Sequence, residues 1–128
     1  MAEGFARHLG GKIIEAYSAG LFSHYVQPKA IEVMQESGID ISGQKSEAID
    51  YDVLNNMDLL ITLCDHADAS CPVTPPHIRR IHWPIRDPVE TTGTKEERMD
   101  DFRRARDEIR GKIEGLIEDI KAELRIQK

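Results

Sequence analysis

Residues Leu59 to Leu63 read LLITL, a continuous apolar run of strand length. Such a run is the signature of a strand buried on both faces, which requires a packed layer on each side of its sheet. Around it, helical and extended patterns alternate along the 128 residues, with no repeats and no low-complexity linker. Met1 to Leu9 reads as part of a helix ended by Gly10-Gly11. Ile13 to Ser18 reads as a short strand stopped by Ala19-Gly20. Pro28 suits the first turn of a helix through Ala30, Ile31, Val33 and Met34, with Gly38 just past its end. Asp50 caps a short helix through Val53 and Leu54, and Ile81 to Trp83 reads as a third strand closed by Pro84. After Thr94 the chain becomes one long helix, because Met99, Phe102, Ile109, Ile113, Leu116, Ile120 and Leu124 recur at threes and fours. Gly111 and Gly115 within it are expected to pack closely against a neighbour. Strand and helix in alternation imply an α/β fold with a mainly parallel sheet in a single domain, residues 1–128.

Charge narrows the function classes. The 17 Lys+Arg against 23 Asp+Glu leave a net charge of −6, and the basic residues form no stripe that would hold nucleic acid. No apolar run is long enough to span a bilayer, and MAEGFARHLGGK lacks the pattern of a signal peptide. The expected compartment is cytoplasmic, where paired cysteines are more often redox-active or metal-bound than structural.

In parallel α/β sheets, sites gather at the carboxyl ends of strands. Cys64 stands at that end of the LLITL strand, and Asp87 follows the third strand in the same way. The chain has two cysteines, Cys64 and Cys71. On one rigid helix, seven rises would separate their Cα atoms by about 10.5 Å, whereas a disulfide needs roughly 4.4–6.8 Å. Pairing therefore requires residues 64–71 to loop back, and the intervening DHADAS has no large apolar side chain to prevent it. A pair that opens and closes suits a thiol relay. Two alternatives stay open: Cys64 as a small buried residue, and a zinc site built from Cys64 and Cys71 with two of His66, His77 and His82, whose spacing departs from a zinc knuckle.

Several stretches together resemble the thioredoxin-coupled arsenate reductases of the low-molecular-weight tyrosine phosphatase superfamily: MAEGFA, YSAG (17–20), VQPKAIEVM (26–34), GIDIS (38–42), DLLITLCDHAD (58–68), CPVTPPH (71–77), HWPIRDP (82–88) and FRRARDEI (102–109). The resemblance implies a small three-layer fold, a parallel sheet flanked by helices. It implies that arsenate, or a phosphate-like oxyanion, binds a Cys-x5-Arg loop after the first strand, and that the loop cysteine attacks arsenic. A second cysteine then attacks the first and expels arsenite, a third attacks the second, and thioredoxin reduces the final disulfide. Cys64 matches the second cysteine, Cys71 the third, and Asp87 the aspartate that protonates the departing oxygen. Glu3 and Ser18 match positions that some members use around a potassium ion.

The departure lies at the start. MAEG in the resemblance follows the phosphate loop, yet no Cys-x5-Arg run occurs anywhere in the 128 residues. The expectation is a sheet missing its first, central strand, with two edges left unpaired. A truncated start, a homodimer that covers the gap and a remnant without chemistry are the competing explanations. The functional expectation is an arsenate reductase-like protein that is inactive as this chain alone. The alternatives are a phosphatase of the same superfamily, which has no need of Cys64 and Cys71, or a non-catalytic redox- or metal-responsive module.

Overall fold

The computed structural model describes residues 1–20, 24–64, 74–86 and 88–126. Helix α1 spans Ala2–Gly10 and carries Glu3 in its first turn, where an acid complements the helix dipole. Gly10 is buried, and a side chain there would meet Ile14 and Ile117. Helix α2, Pro28–Glu36, starts on the proline that the sequence placed at its first turn. It ends in a Schellman motif: the Ile39 N–H donates to the Met34 carbonyl at 3.0 Å, the Gly38 N–H donates to that of Gln35 at 2.9 Å, and Gly38 has φ +78°. Met34 and Ile39, joined by that bond, both enter the core. Helix α3, Tyr51–Asn55, is capped as expected, the Asp50 carboxylate accepting from the N–H groups of Asp52 and Val53 at 2.9 and 3.4 Å. The last helix, α4, runs Lys95–Ile126, and Thr94 caps it by accepting from the Glu97 N–H at 3.1 Å.

The core lies where α1 and α2 pack on α4. Phe5, Val33, Met34 and Ile41 are fully buried and meet Met99, Phe102, Ala105, Ile109, Ile113 and Ile117 of α4. The apolar stripe of α4 outlasts this core, since Ile120 is half-buried and Leu124 exposed. Gly111 and Gly115 are exposed, and no described residue comes within 4 Å of a side chain placed there, so the expected close packing is not made by any described neighbour. They fall on the outer face, where the stripe has no claim on them. Exposed ion pairs tie α2 to α4, with Glu36 holding Arg103 at 3.0 Å and Arg106 at 2.7 Å.

The strands form two groups. β1 (Ala19–Gly20) pairs in parallel with β3 (Lys45–Ala48), and β2 (His24–Tyr25) pairs with β3 antiparallel. β4 (Leu59–Cys64) pairs in parallel with β5 (Arg79–Ile85). The α/β class with a small parallel sheet flanked by helices holds. Three readings need correction. The strand expected at Ile13–Ser18 starts only at Ala19: the N–H groups of Ile13 and Ile14 both turn back to the Gly10 carbonyl, and Arg7 takes the Ala16 carbonyl at 2.8 Å. The third strand is longer than expected and runs through Pro84, because a register shift between Thr62 and Cys64 absorbs the residue that lacks an N–H. Lastly, Leu59 to Leu63 are each half-buried rather than covered on both faces. Among the described residues β4 has β5 as its single partner strand, so its other edge has no described neighbour to cover it.

Candidate functional site

Because β4 and β5 run parallel, their carboxyl ends lie side by side. The register brings the backbone of Cys64 opposite Ile85, so the chain that leaves β5 through Arg86 starts beside Cys64. The structure thus gathers, at one end of one strand pair, the first cysteine and the segment leading to Asp87. Cys71 and Asp87 themselves lie outside the described residues. One turn of 3₁₀ helix, Pro88–Glu90, then leads to α4.

A buried carboxylate holds that segment. Asp101 on α4 is 8% exposed, the one buried polar or charged side chain among the described residues. Its Oδ1 accepts from Arg86 Nη2 and from Arg104 Nε, both at 2.6 Å. Its Oδ2 accepts from the Thr91 hydroxyl. Arg104 also donates through Nη2 to the Arg86 carbonyl at 3.0 Å and through Nη1 to Glu108 at 3.0 Å. The Arg104 hydrogen bond, helped by those of Thr91 and Arg86, holds the Asp101 carboxyl well below the usual carboxylate range despite burial. Sequence reasoning missed this cluster. One signal was available: Asp101 stands four residues before the core residue Ala105, and so beside the apolar stripe of α4.

Beneath Cys64, one rung down the pair, Thr62 Oγ1 lies 2.6 Å from His82 Nδ1. His82, one of the histidines of the zinc alternative, thus has a cross-strand partner on Nδ1. Among the described residues no group of three or more His, Cys, Asp or Glu is arranged to hold a metal ion, while Cys71 and His66 of the zinc alternative lie outside them.

Glu3 and Ser18, fifteen residues apart, do meet. The Ser18 hydroxyl donates to Glu3 Oε1 at 2.7 Å, and the other carboxylate oxygen faces Arg7 Nε at 3.2 Å. The pair offers a cation two side-chain oxygens, on a carboxylate that a guanidinium already neutralises. A potassium ion prefers a cage of several oxygens, so these two would be part of its shell and not the whole of it.

The profile of the low molecular weight phosphotyrosine protein phosphatase family matches residues 1–126. The chain is 48% identical over 118 residues to the arsenate reductase of Bacillus subtilis (strain 168), a match covering 92% of this chain and 85% of that protein. It is 50% identical over 119 residues to the arsenate reductase of Bacillus licheniformis, with the same coverage of 92% and 85%. Among solved structures, an arsenate reductase in the phosphate binding state superposes with a TM-score of 0.73 at 37% identity, and one in the oxidized state with 0.74 at 35%. Each superposition covers 93% of this chain and 86% of the other.

Proposed function

The chain belongs to the low molecular weight phosphotyrosine protein phosphatase family, and on that premise we propose that it serves the reduction of arsenate to arsenite, as the arsenate reductases it resembles are named to do. The observation that carries this reading is identity of nearly one half, spread over 92% of the chain, to proteins of that name. Residues 1–128 act as one domain in the cytoplasm, and no helix among the described residues is long and apolar enough to cross a membrane.

In this reading Cys64 and Cys71 are the last two thiols of a relay. A mixed disulfide between Cys64 and an attacking cysteine supplied from outside these 128 residues is resolved by the Cys71 thiolate. It displaces the first sulfur as thiolate and leaves the Cys64–Cys71 disulfide. The two electrons lost by the thiols are those gained by arsenic. Thioredoxin dithiol returns them and releases both cysteines. Asp87 protonates the oxygen that leaves arsenic. The parallel register supports the arrangement, since it starts the Asp87 segment beside Cys64. With no Cys-x5-Arg run, this polypeptide lacks an oxyanion cradle of its own and turns over arsenate little when alone. No step is routed through potassium at Glu3 and Ser18. The two cysteines disfavour a phosphatase, which has no use for them.

The test is thiol counting. Mild oxidation should remove two thiols per chain, thioredoxin with its reductase and NADPH should restore both, and Cys71→Ser should block closure within the chain. Two thiols still titratable after oxidant would reject the relay.

A second reading is favoured by the half-exposed β4: a second copy of the chain covers that strand. Sedimentation across a range of concentrations tests it, and a monomer throughout rejects it.

A further inference from the structure

The chain enters position 87 from Arg86 and leaves it through Pro88, and both flanks are held from one place. Asp101 Oδ1 binds the Arg86 side chain at 2.6 Å and Oδ2 binds the Thr91 hydroxyl, so a single carboxylate grips the segment before and after Asp87. Arg104 closes the grip, reaching Asp101 through Nε at 2.6 Å and the Arg86 carbonyl through Nη2 at 3.0 Å. Within the segment the Thr91 N–H donates to the Pro88 carbonyl at 3.2 Å. A buried carboxylate left without its donors would be costly, so every contact in this set is needed by the others. Its cost of burial gains nothing for the apolar core. What it fixes is the exit of β5.

We propose that Asp101 and Arg104 are positioning residues that set the backbone at Arg86, just after β5, and at Thr91, the two described flanks of position 87. The inference rests on the reading of Asp87 as the proton donor for its purpose, though not for its geometry. Arg104 is needed as a planar fork, because one guanidinium spans a carboxylate and a carbonyl. Lysine keeps the charge but offers its donors from a single nitrogen, without the planar fork that meets both acceptors at once. Thr91 is needed for its hydroxyl alone.

The experiment is amide hydrogen exchange by NMR on the full chain, with the Asp87 carboxyl carbon followed in the same samples. Asp101→Asn and Arg104→Lys should each speed exchange at Arg86 and at residues 89–91 by about ten-fold or more, the equivalent of one charge-assisted hydrogen bond. They should also move the Asp87 carboxyl signal. The amides of β4 and of α2 should change far less. Thr91→Val should reproduce the local effect in a milder form that keeps the fold, and Thr91→Ser should restore it. Uniform acceleration across the protein, with the Asp87 signal unmoved, would make the cluster a plain structural brace and overturn the proposal. So would full protection in Arg104→Lys. Neither result bears on the proton-donor reading, which fails separately if Asp87→Asn leaves arsenate reduction intact once the nucleophile loop is supplied.

Discussion

Replacing glycine by alanine inside a helix gives opposite results at two places in this chain, and the space around each glycine decides the sign. In mid-helix the exchange gains about 1 kcal/mol, because alanine has fewer unfolded conformations to lose. Gly111 and Gly115 lie in the interior of α4 with no described residue within 4 Å of a new Cβ, so each substitution should keep most of that gain. Gly4 in α1 is different. A Cβ there would sit 2.7 Å from Ile41 Cγ2 and 3.2 Å from Met34 Cε, and both of those side chains are fully buried. Met34 can yield at its flexible end, whereas the Ile41 methyl is fixed on a branched carbon and moves only with its backbone or rotamer. Overpacking of this kind costs about 1–3 kcal/mol, and the first turn returns less helix propensity than the middle, so Gly4→Ala should lose about 1–2 kcal/mol net. Urea unfolding followed by circular dichroism measures all three. The midpoint should rise for Gly111→Ala and Gly115→Ala and fall for Gly4→Ala, with the slope unchanged in each. A stabilising Gly4→Ala would refute the packing of α1 on Ile41. A destabilising Gly111→Ala or Gly115→Ala would mean that the outer face of α4 is covered in solution, as a second copy of the chain could cover it.

Further outcomes can be measured on the same protein. The Asp101 carboxyl titrates lower in the folded than in the unfolded chain, so the stability it contributes is complete above the unfolded value of about 3.9 and is lost as pH falls below it. Acid titration of the unfolding midpoint should steepen below about pH 4, by up to about 1.4 kcal/mol per pH unit for one proton, and Asp101→Asn should flatten that limb. An unchanged acid limb in the variant would remove Asp101 from the account. The 128-residue polypeptide with thioredoxin, its reductase and NADPH should show no arsenate-dependent NADPH consumption above background, and clear turnover would refute the need for an outside nucleophile. Exchanging sodium for potassium should leave the melting temperature unmoved, because Arg7 already satisfies Glu3; a rise that Glu3→Gln abolishes would show a cation replacing that contact.

What the sequence made legible follows from how local each signal is. The caps at Asp50 and Pro28 and the turn at Gly38 depend on a few adjacent residues, and all three stand where they were read. The stripe of α4 from Met99 to Leu116 was equally plain, being repetition of one period. The failures were contests between elements. LLITL is composed for burial on two faces, yet burial depends on neighbours that composition does not name. The start of β1 was lost to Arg7, nine residues from the carbonyl it takes. Glu3 and Ser18 were paired by resemblance and do touch, but the guanidinium beside them was not part of that reading. The cluster at Asp101 joins residues 86, 91, 101 and 104 across a strand end and a helix, and no periodic pattern announces such a meeting.

Pro84 has a consequence for the geometry of the whole exit. Between the rungs Thr62–His82 and Cys64–Ile85, one strand advances by two residues while its partner advances by three. The odd step lets the strands fall out of phase, and it keeps Ile85 pointing inward at 6% exposure with Arg86 outward. Alternation along a strand has a period of two. Deleting Pro84 would even the count and turn both residues over, carrying a guanidinium toward oil and an isoleucine toward water. One imino acid therefore works as a half-turn in the screw that aims everything after β5.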